Sequence, residues 1–229
     1  MFSTLFLFGI ALAASINTLS GVKAAAVCKD YVVLSARGTF DPPGPEYNLK
    51  QIVATTLNNL PNGAAVDVDY PAQASVASTE AGVAWVRRYL QEANQACPQQ
   101  KYALLGFSQG AMVMAEAAGG FASAGDPLYD AIKVVFMAGN PFHVPNRVGN
   151  VDEQGGHSTA AAPGTAMRDD PNPAELDRFA ADGKVMDVCL AADPICNSAH
   201  HGPSAHGSYG GSQNVQAMAA RFVVSKLTG

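Results

Sequence analysis

Charge is scarce in this chain of 229 residues: 14 lysines and arginines stand against 19 aspartates and glutamates, and charged residues make up only 14% of the sequence. A net charge of -5 with no basic cluster offers no electrostatic footprint for a phosphate backbone or an anionic lipid surface, so nucleic acid is not expected as a partner. The sequence contains no His-Glu-x-x-His run and no paired Cys-x-x-Cys spacing, and nothing in it calls for a metal or another cofactor. No internal repeat divides it. Its most continuous apolar stretch, Leu5 to Ala14, falls well short of the ~20 residues that span a bilayer, so no stable membrane anchor is expected.

That stretch has a different reading. Leu5 to Ala14 fits the apolar region of a secretory leader, and Val22-Lys23-Ala24 or Ala24-Ala25-Ala26 offers small residues for cleavage. Residues 1–26 are therefore expected to be a signal peptide and the protein to be secreted. Residues 27–229 are enough for one sizeable core and too few for two ordinary domains with a linker, so one domain, and a monomer, are expected.

Cysteine is also sparse, at 4 residues, but the number is even, and an exported chain meets an oxidising environment that favours disulfides. Three pairings are possible. Cys189 and Cys196 are close enough to staple a local loop, which would leave Cys28 to meet Cys97; the short ring would then restrict Asp193.

Apolar periodicity alternates strands with helices. Strands are expected over 30–36, 64–70, 102–105, 132–138 and 184–190. Helices are expected where Leu49, Ile52, Val53, Leu57 and Leu60 recur, from Ser78 through Ala93, over 111–117, over 173–181 and over 214–227. Connections too long for hairpins imply right-handed βαβ crossovers. The expected architecture is a three-layer α/β/α hydrolase-type fold with a central, mostly parallel sheet and no large lid domain. From Phe142 to Pro171 the pattern dissolves into Gly, Ala, Pro and Asp, which reads as either a surface excursion near the active face or a mobile flap.

The segment with the most chemistry is Gly106-Phe107-Ser108-Gln109-Gly110. A buried strand enters it and a helix leaves it, as in a nucleophile elbow, where a tight turn exposes a serine hydroxyl at a helix N-terminus. Such a hydroxyl needs an imidazole to take its proton and a carboxylate to orient that imidazole. All five histidines follow Ser108: His143, His157, His200, His201 and His206. His206 is favoured because it heads a compact turn before the last helix. Asp193, in the short cysteine ring just past a strand end, is favoured over Asp187, which is expected to be an exposed edge or cap residue within its strand.

These features together resemble the cutinase family of secreted serine esterases, and among them the fungal cutinase-like polyester hydrolases. The resemblance rests on Ala36-Arg37-Gly38-Thr39, the elbow, Gly139-Asn140-Pro141, Asp187-Val188-Cys189 with Asp193 and Cys196, and His206 with Tyr209. It covers nearly all of the chain after the leader. It implies Ser108 as nucleophile, His206 as base and Asp193 as its acid, and the pairings Cys28 with Cys97 and Cys189 with Cys196.

An oxyanion hole is expected from the backbone N–H of Gln109, one residue past the serine, with the N–H of Thr39 from the loop after the first strand; the Thr39 hydroxyl could add a donor. Family members often carry Ser at the position of Thr39 and Tyr at that of Phe107. Arg37 is expected to be a structural ion-pair partner. The activity implied is two-step ester hydrolysis on aliphatic polyesters or other polymeric or lipid-like esters. An acetylxylan or lipid esterase is the alternative, and a catalytically silent surface-binding protein a more distant one. An imidazole base predicts activity rising through about pH 6 to 7.

Overall fold

A computed structural model describes residues 27–229. The expected leader, residues 1–26, lies outside the described residues. The chain forms strands β1 (Tyr31–Ala36), β2 (Gly63–Asp67), β3 (Lys101–Phe107), β4 (Ile132–Ala138), β5 (Asn150–Val151) and β6 (Val185–Val188). Between and after them run helices α1 (Lys50–Asn59), α2 (Val76–Ala96), α3 (Gln109–Gly119), α4 (Pro127–Ala131), α5 (Asp177–Ala181) and α6 (Gln213–Thr228). All described strands pair in parallel, in the order β2-β1-β3-β4-β6-β5.

Both sheet faces are covered, so the central strands are apolar at nearly every position, Ser35, Lys101 and Lys133 excepted, rather than at alternate ones. The period of two still sorts them. Val32, Leu34, Leu104, Val135 and Met137 face a core shared with Val83, Val86 and Leu90 of α2 and Val113 and Met114 of α3. Val33, Leu105, Val134 and Phe136 face the opposite core, with Leu49 just before α1, Ile52 within it and Val215 and Val223 of α6. The result is the expected three-layer α/β/α arrangement.

Strand order places the site. The chain leaves β1 toward β2 on one side, while β3 lies on the other, with Ala36 in register with Gly106. The loops that follow β1 and β3 are therefore adjacent at the carboxyl edge of the sheet, at the switch point where ligands of open α/β sheets bind.

Several boundaries and two short elements differ from the sequence reading. β2 stops at Asp67 because Val68 and Tyr70 turn into the core, although the Val68 N–H still reaches Ser35 O at 2.8 Å. α2 begins two residues early, at Val76, because Ser75 is the cap and its hydroxyl accepts from the Ser78 N–H. α5 occupies only Asp177–Ala181, and α4, capped by Asp126 with Pro127 at its first position, was not expected. β5 lies inside the stretch expected to be irregular; two residues carry no readable period.

That stretch is pinned rather than flap-like. The Thr159 hydroxyl donates to Cys189 O at 2.9 Å, Thr165 N–H to Ile195 O at 2.8 Å and Ala166 N–H to Pro141 O at 3.0 Å. Two disulfides close the frame: Cys28 to Cys97, with Cα atoms 5.6 Å apart, and Cys189 to Cys196, 5.7 Å apart. On a chain-entropy view they stabilise by about 4 and about 2.5 kcal/mol, the longer loop contributing more. Among the described residues no helix is long and apolar enough to cross a membrane.

Candidate active site

Ser108 sits between β3 and α3 with φ of 54° and ψ of -120°, a left-handed conformation that costs a non-glycine residue strain and recurs at functional sites. Its N–H is held by Ala138 O at 2.9 Å. The flanking glycines have separate steric causes. A Cβ on Gly106 would lie 2.2 Å from Gly110 O, and one on Gly110 would lie 2.1 Å from Ala36 O. The turn is closed so tightly, against both its own helix and β1, that neither position admits a side chain.

Across the sheet edge, His206 Nε2 lies 2.9 Å from Ser108 Oγ. Its Nδ1 lies 2.9 Å and 3.0 Å from the two carboxylate oxygens of Asp193. The imidazole is 23% exposed, whereas Asp193 is fully buried. That carboxylate also accepts from the Tyr209 hydroxyl at 2.5 Å and the Ile195 N–H at 2.8 Å. Burial opposes its charge, but the hydrogen bonds from His206, Tyr209 and Ile195 outweigh burial and hold its pKa below the ordinary carboxylate value. Burial, followed by the Asp193 charge, drives the Tyr209 hydroxyl well above its ordinary value, so it remains a donor.

The ring of Phe107 stacks on His206 with centroids 4.9 Å apart. Sequence reasoning attached no role to Phe107 or Ile195 and gave Tyr209 only as a mark of resemblance. The aromatic turn after His206 was the available signal for Tyr209.

Only His206 among the five histidines is within hydrogen-bonding distance of Ser108. The Nδ1 of His157 lies 3.2 Å from Asn150 O, and His200 Nε2 lies 3.2 Å from Pro203 O, while His201 is exposed. His143 is fully buried, its Nδ1 3.0 Å from Asp187. This corrects the expectation for Asp187, which is neither edge nor cap but 0% exposed, paired with His143 and accepting from Asn140 Nδ2 at 3.0 Å. Its strand lies between β4 and β5 and so is not an edge, and on the sheet face the buried His143 and Asn140 pack against its carboxylate.

The loop after β1 is clamped beside the elbow. Arg37 is not an ion-pair partner as expected; its guanidinium donates to the backbone carbonyls of Asp41 at 2.9 Å, Val68 at 3.2 Å and Tyr70. Phe40, at φ of 64°, and Ala72, at φ of 53°, are joined by a 2.7 Å bond from Phe40 N–H to Ala72 O. Thr39 is thereby presented next to Gln109, its hydroxyl 3.5 Å from Gln109 Oε1. The Gln109 amide is in turn fixed by Gln73 O at 2.8 Å and Thr79 Oγ1 at 3.1 Å. The Gln109 N–H is the first of α3 and makes no intrahelical bond, unlike the Ala111 N–H, which donates to Ser108 O at 2.9 Å.

A cleft of about 440 Å³ opens beside Ser108, lined among others by Thr39, Val76, Met112, Pro141 and Phe142. A hydroxyl bonded to an imidazole, a carboxylate behind the imidazole and free helix N–H groups beside an apolar cleft can together perform acyl transfer.

The comparisons point to esterases. Residues 27–227 match the family model described as Cutinase. Acetylxylan esterase 2 of Talaromyces purpureogenus is 30% identical, over 95% of this chain and 95% of that protein. A cutinase of Kineococcus radiotolerans is 29% identical over 81% of this chain and 58% of that protein. Among solved structures, a cutinase-like protein from Cryptococcus sp. superposes with a TM-score of 0.80 at 31% identity, covering 90% of this chain and 98% of that one. Fold and relatives define a carboxylic-ester hydrolase of the α/β type. The chain belongs to the cutinase family.

Proposed function

We infer that the protein is a secreted, single-domain serine esterase in which Ser108 attacks an ester carbonyl. His206 takes the hydroxyl proton and passes it to the leaving alcohol, and Asp193 orients and stabilises the imidazolium that forms. Water then attacks the acyl-enzyme with His206 again as base, releasing the acid and restoring Ser108. The backbone N–H groups of Gln109 and Thr39 hold the tetrahedral oxyanion; loss of one such donor costs about 3 kcal/mol of barrier. The observation that carries this reading is the continuous Ser108–His206–Asp193 hydrogen-bond chain, whose serine lines the cleft.

Aliphatic polyesters and short- to medium-chain esters are the proposed substrates, because the cleft is open and largely apolar. Extension of the chain from residue 27 to 229 as one domain, and export through residues 1–26, belong to the same reading; the two disulfides support it. A second reading, deacetylation of xylan, is favoured by the acetylxylan esterase relative that spans nearly the whole chain. Hydrolysis of emulsified aliphatic polyester, acetylated xylan and triglyceride by wild type and Ser108→Ala tests both. The proposal expects polyester turnover to lead and to vanish in Ser108→Ala; a strong preference for acetylated xylan would replace the polymer assignment, and activity surviving in Ser108→Ala would overturn the mechanism.

A further inference from the structure

The cleft has two chemically different ends. Ser108, Met112 and Glu116 occupy successive turns along α3, and all three line it; the rise over those two turns is about 12 Å. Glu116 is the only charged residue of α3. It is half-buried, and among the described residues its carboxyl makes no hydrogen bond and no ion pair; the Arg87 guanidinium, near enough to favour its charge, bonds the Glu116 backbone carbonyl instead. Glu80 of α2 and Asp169 also line the cleft, and Glu80 is near enough to Glu116 to disfavour its charge.

A half-buried carboxyl without a partner is an expensive feature to place in a reactive cleft, and its surroundings add to the cost. Burial raises the Glu116 pKa, Asp170 and Glu80 raise it further, and Arg87 opposes them. Behind it, Glu175 is pushed up to about 8, first by burial and then by Asp170 and Glu116. Negative charge is already crowded there.

We propose that Glu116 is a specificity-determining residue: it admits substrate chains whose far end is neutral or cationic, such as a hydroxyl, and refuses chains that carry a carboxylate about 12 Å from the scissile ester. The inference rests on Ser108 being the reacting group at the cleft's other end. It implies that a polyester would be cut between neutral repeats in preference to next to an existing acid end.

The test compares two esters of equal chain length, one ending in a hydroxyl and one in a carboxylate, at about pH 9, where an ordinary carboxyl is fully ionised. One pair carries the ends on the acyl portion and a second pair carries them on the alcohol portion. The ratio of kcat/KM is taken within each enzyme, so a change in folded fraction cancels. In wild type, one pair is expected to favour the hydroxyl end about tenfold or more, falling below about threefold in Glu116→Gln, as expected for removal of like-charge repulsion. Wild-type ratios below threefold for both pairs, or a ratio that persists in Glu116→Gln, overturn the proposal. Should Glu116→Gln fail to fold, Glu116→Ser carries the same comparison. Hydrolysis of the hydroxyl-ended ester by Ser108→Ala separates the two inferences, since activity there refutes Ser108 as the reacting group rather than Glu116 as the filter.

Discussion

Two histidine–aspartate pairs lie within one edge of this sheet, and they differ in what surrounds them. In the His206–Asp193 pair the carboxylate is sealed, but the imidazole is 23% exposed and its far nitrogen meets the Ser108 hydroxyl. In the His143–Asp187 pair both side chains are 0% exposed, and among the described residues no hydroxyl bonds the far ring nitrogen. Contact distance does not distinguish them, at 2.9 and 3.0 Å. Access does. The buried pair instead ties the loop after β4 to β6: Asp187 also holds Asn140, whose Oδ1 accepts from the Phe142 N–H, and Pro141 and Phe142 form a wall of the cleft.

Substitution should separate the pairs most strongly. Asp193→Asn or His206→Ala is expected to lower kcat by roughly 10³- to 10⁴-fold while leaving the protein folded, because each disables the proton relay. Asp187→Asn or His143→Ala is expected to act on stability instead, at about 3–5 kcal/mol, because it leaves an uncompensated partner in the core. Denaturant unfolding together with kcat on a soluble ester reads both axes; equal kinetic losses in the two pairs would erase the distinction.

A smaller effect sharpens the account of the first pair. Tyr209→Phe removes one donor to the Asp193 carboxylate, and a hydrogen bond to a charged group contributes about 1.5–3 kcal/mol. A loss of roughly tenfold or more in kcat is expected, with an unfolding midpoint that falls earlier on acidification. An unchanged acid limb would show that Tyr209 does not hold Asp193 in its charged form.

The pairs should also differ in how stability follows pH. Burial works against a protonated His143, but the Asp187 carboxylate outweighs it and raises the pKa. Its contribution is therefore complete below about pH 6.5, the ordinary imidazole value, and is lost as pH rises through the raised pKa. Asp193, with its pKa lowered, contributes stability above the ordinary carboxylate value that is lost as pH falls through the lowered one. Melting temperature measured across pH 5 to 9 should decline on the alkaline side, about 1.4 kcal/mol for each unit by which His143 is raised, and flatten in His143→Gln. A wild-type curve already flat there would contradict the buried ion pair.

The same contrast explains what was legible in the sequence. The elbow could be read because its glycines answer a local steric demand, and β1, β3 and β4 because strands buried on both faces are continuous apolar runs. Asp193 and His206 could be ranked by local context, a disulfide ring and a turn, but fixing them took the family resemblance. The burial of Asp187 was illegible because its partners, Asn140 and His143, come from a loop more than 40 residues earlier in the sequence. β5 and the start of α2 were missed because two residues have no period and because Ser75 and Ser78 are both acceptable caps.

Whether Ser108 is the hydroxyl activated by the exposed pair can be read by locating the adduct formed with an organophosphonate ester. One phosphonyl group per folded molecule is expected, on Ser108, with no labelling in Ser108→Ala and strongly slowed labelling in His206→Ala. Folded wild-type protein that stays unmodified at Ser108, or is modified at the same rate without His206, would contradict it.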